Sequence, residues 1–186
     1  MPESRYLDEI FPFAPCFPTS PFSGRSMSSD SRLLIPIDFS EDSAEALRQA
    51  CDLARRFDSE LHLLHVLDSI APVPRTTTEF QHIHRAFLAS RKAEAEQSLR
   101  TLPPAEQGPK PVVRQIAIGN PAVEIVKYAD AQAIDLIVMG THGRTGFKAW
   151  MAGSVAERVV RCAHCPVLVV RRVPAHEGVS QSVRSA

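Results

Sequence analysis

The sequence predicts an α/β fold, an open and mostly parallel sheet with helices on both faces. Three observations carry that expectation. Apolar runs of four to seven residues recur along the chain without polar alternation, as strands covered on both faces require. Stretches of helical period separate them, long enough to cross over between parallel strands. The junctions between the two carry helix-capping residues.

The elements follow in order. Leu33-Leu34-Ile35-Pro36-Ile37 reads as a buried strand. Ser40 caps the next helix, and Glu41 and Asp42 suit the positive end of its dipole. Leu47, Ala50, Cys51, Ala54 and Phe57 form the apolar stripe of that helix. Residues 61–67 are a second strand containing His62 and His65, whose side chains point to opposite faces, unfit for shared metal ligation, and read as solvent-facing or locally satisfied. A helix over 78–102 turns Phe80, Ile83, Phe87, Ala95, Leu99 and Leu102 inward and stops at Pro103-Pro104. Residues 112–118 are a third strand. Asn120-Pro121 then supplies an N-cap and a proline at the first position of a helix running to Ala131. Residues 136–139 are a fourth strand. A glycine-rich loop follows, then a helix over 154–162 with a Ser154–Glu157 capping box and Val155, Val159 and Cys162 on one face. Residues 166–171 form the last strand.

The flanks differ. Residues 1–31 hold five prolines and Phe11, Phe13, Phe17 and Phe22 with no regular period, which suggests a disordered N-terminal extension, with Met27 as an alternative translation start. The regular domain spans 32–172, and residues 173–186 read as a flexible tail.

Composition narrows the function. With 186 residues, 21 Lys+Arg against 21 Asp+Glu and a formal net charge of zero, the chain lacks the basic field that nucleic-acid and anionic-membrane binders use. No apolar run approaches the ~20 residues of a membrane-spanning helix. Four cysteines, Cys16, Cys51, Cys162 and Cys165, show no disulfide framework, and the start shows no secretory pattern, so a cytoplasmic protein is expected.

Chemistry concentrates after the fourth strand. Four of the eight glycines, Gly140, Gly143, Gly146 and Gly153, lie within residues 140–153, and the loop ends at the capped start of a helix. Backbone amides, the helix dipole, Ser154, Arg144 and Lys148 together would form a phosphate cradle, although a tight irregular turn would also use such glycines. The spacing matches neither the P-loop nor the dinucleotide fingerprint. Asp38 follows the first strand, where it either meets a ligand or caps the next turn. His142 lies inside the loop, where a phosphate or ribose contact and a loop-stabilising role are both open. Cys162-Ala-His-Cys165 has half the ligands of a zinc site and reads as structural.

The Gly140-x-x-Gly143-x9-Gly153-Ser154 spacing resembles the signature of the universal stress protein family. Ile35-Pro36-Ile37-Asp38-Phe39-Ser40, Leu64-His65-Val66, residues 135–140 and Cys165-Pro-Val-Leu-Val-Val170 resemble that family's segments in its usual order. The resemblance implies sheet order 3-2-1-4-5 in a Rossmann-like, adenine-nucleotide α-hydrolase-like fold, with Asp38 opposite the Gly140 loop. It implies an ATP site: Pro36 and Val66 at the adenine, and Asp38 at the ribose or a nucleotide-bound Mg²⁺. Gly140, Thr141, His142, Gly143, Arg144, Thr145 and Gly146 would wrap ribose and phosphates. Gly153 closes the signature, and Ser154, Val155 and Ala156 would present the helix amino end. It also implies a homodimer through the strand at 166–171, with Arg171 and Arg172 limiting further pairing, and protein clients in a stress response. No second carboxylate stands beside Asp38 in the motifs and no general base is evident, so no catalytic residue is assigned. The competing readings are a slow ATPase or phosphotransferase using Asp38 and a metal, and a nucleotide-free adaptor that recruits a partner through its phenylalanine-bearing leader.

Overall fold

The computed structural model describes residues 27, 30–68, 78–104, 111–141 and 154–171. Five strands run in the order β1 (Arg32–Pro36), β2 (Glu60–Asp68), β3 (Val112–Gly119), β4 (Leu136–Gly140) and β5 (Val167–Val170). The helices between them are α1 (Glu41–Phe57), α2 (Thr78–Arg100), α3 (Pro121–Ala131) and α4 (Ser154–Cys162). Every pairing is parallel and the sheet order is β3-β2-β1-β4-β5, the expected 3-2-1-4-5.

Local chemistry explains the boundaries. Ser40 Oγ accepts from Ser43 N at 3.2 Å and starts α1, and Asp58 ends it in the left-handed region at φ 53°. Asn120 Oδ1 accepts from Val123 N at 3.3 Å, with Pro121 opening α3. Glu157, the expected capping-box partner of Ser154, has Oε1 on Arg161 Nη2 at 2.7 Å. At the amino edge of the sheet Arg32 N donates to Asp135 Oδ2 at 3.0 Å and Arg32 Nη1 to Gln132 O at 2.9 Å.

The sheet divides two apolar layers. Leu33, Ile35, Leu61, Leu63 and Val138 face α1 and the end of α2, against Ala46, Leu47, Ala50, Cys51, Ala54 and Leu99. Leu34, Leu64, Ile137 and Met139 face α3 and α4, against Ala122, Ile125, Ala129, Ala156 and Val159. Met27 packs against the first layer, and Ser31 is buried with its carbonyl accepting from Glu60 N at 2.9 Å.

Three side chains depart from the sequence reading. Phe57 and Phe87, expected inside, are 39% and 52% exposed. Phe57 is the last residue of α1. Phe87 precedes Ala95 and Leu99, the buried residues among the described side chains of α2, and carries Arg91 over its ring at 5.9 Å. His62, expected at the surface or locally satisfied, is buried against α3, with Nδ1 2.9 Å from Tyr128 Oη. The Phe80 and Ile83 side chains, the flanks 1–26 and 172–186, and residues 142–153 lie outside the described residues.

Candidate functional site

Pro36 opens the crevice. In β1 the odd residues bond to β2, as Ile37 N does to Leu64 O at 2.8 Å, so the even residues turn to β4. Pairing with β4 runs through Leu33–Leu136 and Leu34–Ile137. The next bond requires an N–H on residue 36, and proline has none. The β1–β4 ladder therefore ends at Leu34, whereas β1 stays paired to β2 through Pro36 and β4 to β5 through Gly140 and Val170. The two central strands part at their carboxyl ends, where the winding of the sheet reverses. The expected strand over 33–37 contained this proline, and its place in the ladder is the signal that sequence reasoning passed over.

Groups from four elements stand at that edge. Pro36 ends β1 and Val66 lies near the end of β2, both half-buried; Val66 faces the α3–α4 layer. Asp38, two residues past Pro36, accepts from Ser40 N at 3.0 Å and Ser40 Oγ at 2.5 Å through Oδ1, so it does cap the following turn. Gly140 ends β4 against the first turn of α1; a Cβ there would stand 2.8 Å from the carbonyl carbon of Asp42. Thr141 Oγ1 donates to Asp42 Oδ2 at 3.1 Å, and Thr141 N to Val170 O at 3.1 Å. Ser154 opens α4, exposed, followed by half-buried Val155 and buried Ala156. The first amides of α4 have no carbonyl within their own helix and carry its positive end. His142, Gly143, Arg144, Thr145, Gly146 and Gly153 lie outside the described residues.

Two corrections concern side chains read only as local. Asp42 was assigned to the helix dipole, with no second carboxylate near Asp38 in the motifs. The packing of α1 over β1 and β4 brings Asp42 to the end of β4 and makes it part of the mouth. His65, read as solvent-facing or locally satisfied, is buried with Nδ1 2.6 Å from Ile37 O. The cysteine pair is half-buried, and its intervening His164 has Nδ1 3.0 Å from Asp130 Oδ1. Among the described residues no group of three or more His, Cys, Asp and Glu is arranged to hold a metal. None of the described helices is long and apolar enough to cross a membrane.

A five-stranded parallel sheet of order 3-2-1-4-5, layered by helices and opened between its two central strands, defines a doubly wound protein of the adenine-nucleotide α-hydrolase-like class. Within that class the chain belongs to the universal stress protein family, whose model matches residues 31–171. It is 37% identical to universal stress protein MJ0531 of Methanocaldococcus jannaschii over 141 residues, which cover 76% of this chain and 82% of the relative. The solved structure of MJ0577, a universal stress protein of the same organism, is similar at 32% identity and a TM-score of 0.69, over 80% of this chain and 99% of its own. A universal stress protein solved in complex with cAMP shares the fold at 21% identity and a TM-score of 0.53, over 77% of this chain and 97% of its own.

Proposed function

We propose that the protein binds ATP, as Mg-ATP, in the crevice between β1 and β4, and that as a cytoplasmic homodimer it uses occupancy of that crevice to signal stress to client proteins. The observation that carries this reading is the β1–β4 ladder ending at Leu34 and Ile137, with α4 opening at Ser154 in the layer that covers Ile137 and Met139 of β4. Ligands of open α/β sheets settle beyond the carboxyl ends of strands at such a reversal.

In this reading Pro36 and Val66 flank the adenine from β1 and β2. Asp38 reaches the ribose or the metal. Gly140 and Thr141 begin the wrapping of ribose and phosphates that His142, Gly143, Arg144, Thr145 and Gly146 continue, and Gly153, Ser154, Val155 and Ala156 give backbone amides to the phosphates. Acidic character at the mouth supports a divalent cation. Asp38, Glu41 and Asp42 fall within five positions, and a triphosphate without its metal would meet like charge there. Bound magnesium neutralises phosphate charge. The homodimer reading is supported by β5, an edge strand whose outer side has no strand partner among the described residues.

Titration calorimetry of the full chain with Mg-ATP tests the reading. Saturable binding that weakens at least about tenfold, the effect of losing one good hydrogen bond, in both Gly143→Val and Ser154→Glu is expected. Equal affinity in all three proteins would remove the cradle.

A further inference from the structure

The turn leaving β1 is strained, and β2 holds it. Phe39 sits at φ 62°, in the left-handed region that aromatic side chains rarely adopt. His65 is buried on β2 with Nδ1 2.6 Å from the carbonyl oxygen of Ile37. A carbonyl only accepts, so Nδ1 carries the hydrogen. The Phe39 ring lies against the same imidazole, centroids 4.8 Å apart and planes tilted by 45°. On either side of Phe39 the chain is locked to itself: Ser40 N and Oγ donate to Asp38 Oδ1, and Ser40 Oγ accepts from Ser43 N to start α1. The orientation of the Asp38 carboxylate and the entry of α1 thus follow from where Ile37 O and Phe39 stand. His65 touches both.

We propose that His65 is a positioning residue of the crevice: by donating to Ile37 O and backing the Phe39 ring, it holds the left-handed turn that sets Asp38 and the Ser40 cap at the mouth between β1 and β4. The hold on the turn stands on geometry alone; its consequence for ligand affinity rests on the nucleotide reading above. A strained turn persists only where its surroundings over-determine it. Taking the imidazole donor away from Ile37 O lets residues 37–40 relax and carries Asp38 out of place.

The test uses the full chain and two variants. His65→Leu keeps an apolar side chain in a buried position without a donor. His65→Asn places an amide N–H where Nδ1 stood. Amide hydrogen exchange is read by NMR at Ser40 and, as a control, at Val138 in β4, and Mg-ATP affinity is read by titration. In His65→Leu the Ser40 amide is expected to exchange about tenfold faster and Mg-ATP to bind about tenfold more weakly, the effect of one lost hydrogen bond, with Val138 unchanged. His65→Asn is expected to return most of both losses. Ser40 exchange at the wild-type rate, or Ser40 and Val138 accelerating together, would overturn the proposal; faster Ser40 exchange with unaltered affinity would overturn its role in binding. Phe39→Ala, which removes an exposed ring without emptying the core, is expected to accelerate Ser40 exchange, and an unchanged rate there would overturn the part given to the ring. If the wild type binds no Mg-ATP, the nucleotide reading fails and the exchange rates alone decide the hold on the turn.

Discussion

Thr141 Oγ1 donates a hydrogen bond to Asp42 Oδ2 at 3.1 Å, tying the first residue past β4 to the first turn of α1 across 99 positions of sequence. Beside it, Gly140 meets the Asp42 main chain so closely that a Cβ would stand 2.8 Å from the carbonyl carbon and 2.8 Å from Asp42 Cβ. The helix and the strand end thus form one wall of the crevice, and the absence of a side chain at residue 140 lets them meet.

Gly140→Ala is therefore expected to destabilise the fold by about 1–3 kcal/mol through overpacking, since the atoms in the way include main chain as well as side chain. Urea denaturation measures it. An unchanged midpoint would show that the wall yields without cost.

Much of this architecture was legible in the sequence because the local signals agreed with one another. Ser40 and Asn120-Pro121 marked helix starts, and the unbroken apolar runs marked strands covered on both faces. What escaped was tertiary. Asp42 looked like a dipole charge because its partner lies far along the chain. Phe87 fitted a helical stripe, but among the described side chains of α2 the buried ones are Ala95 and Leu99, further along the helix. His62 and His65 are polar residues inside a strand, and no periodicity shows that Tyr128 and Ile37 O await them.

His62 makes stability depend on pH. Burial holds its pKa below the ordinary 6.5, against an opposing pull from Glu60, whose Oε2 lies 3.5 Å from Nε2 without forming a hydrogen bond. The unfolded chain then binds a proton that the fold rejects. The contribution is present in full above pH 6.5, falls as the pH drops below that value, and is gone once the pH is under the folded pKa. Denaturation midpoints are expected to decline with acid across this window, and His62→Gln to flatten the decline. An identical slope in the variant would contradict the assignment.

Burial pushes the Cys165 thiol up to about 11, with Asp130 and Asp135 adding to it, and burial raises Cys51 as well. At pH 8 only about one part in a thousand of Cys165 is thiolate. Iodoacetamide is expected to spare Cys51 and Cys165 in the native protein and to label both in urea. Rapid native labelling of Cys165, read by peptide mass spectrometry, would contradict this burial.

The edge of β5 offers a test of the proposed dimer. Ile137 N donates to Pro166 O and Thr141 N to Val170 O, so the even residues of β5 turn to β4 and the odd ones outward. Val169→Pro removes an outward N–H and leaves the bonds to β4 intact. Light scattering is expected to give a monomer with an unaltered far-ultraviolet spectrum. A variant that stays dimeric would move the interface away from this edge.

The most direct measurement is mass spectrometry of small molecules released when freshly purified protein is denatured, alongside Mg-ATP titration of the protein after those molecules have been removed. The expected result is ATP in the released fraction, or saturable Mg-ATP binding by the stripped protein, with both lost in Gly143→Val. No ATP in either measurement would contradict nucleotide binding and leave the crevice between β1 and β4 to another ligand.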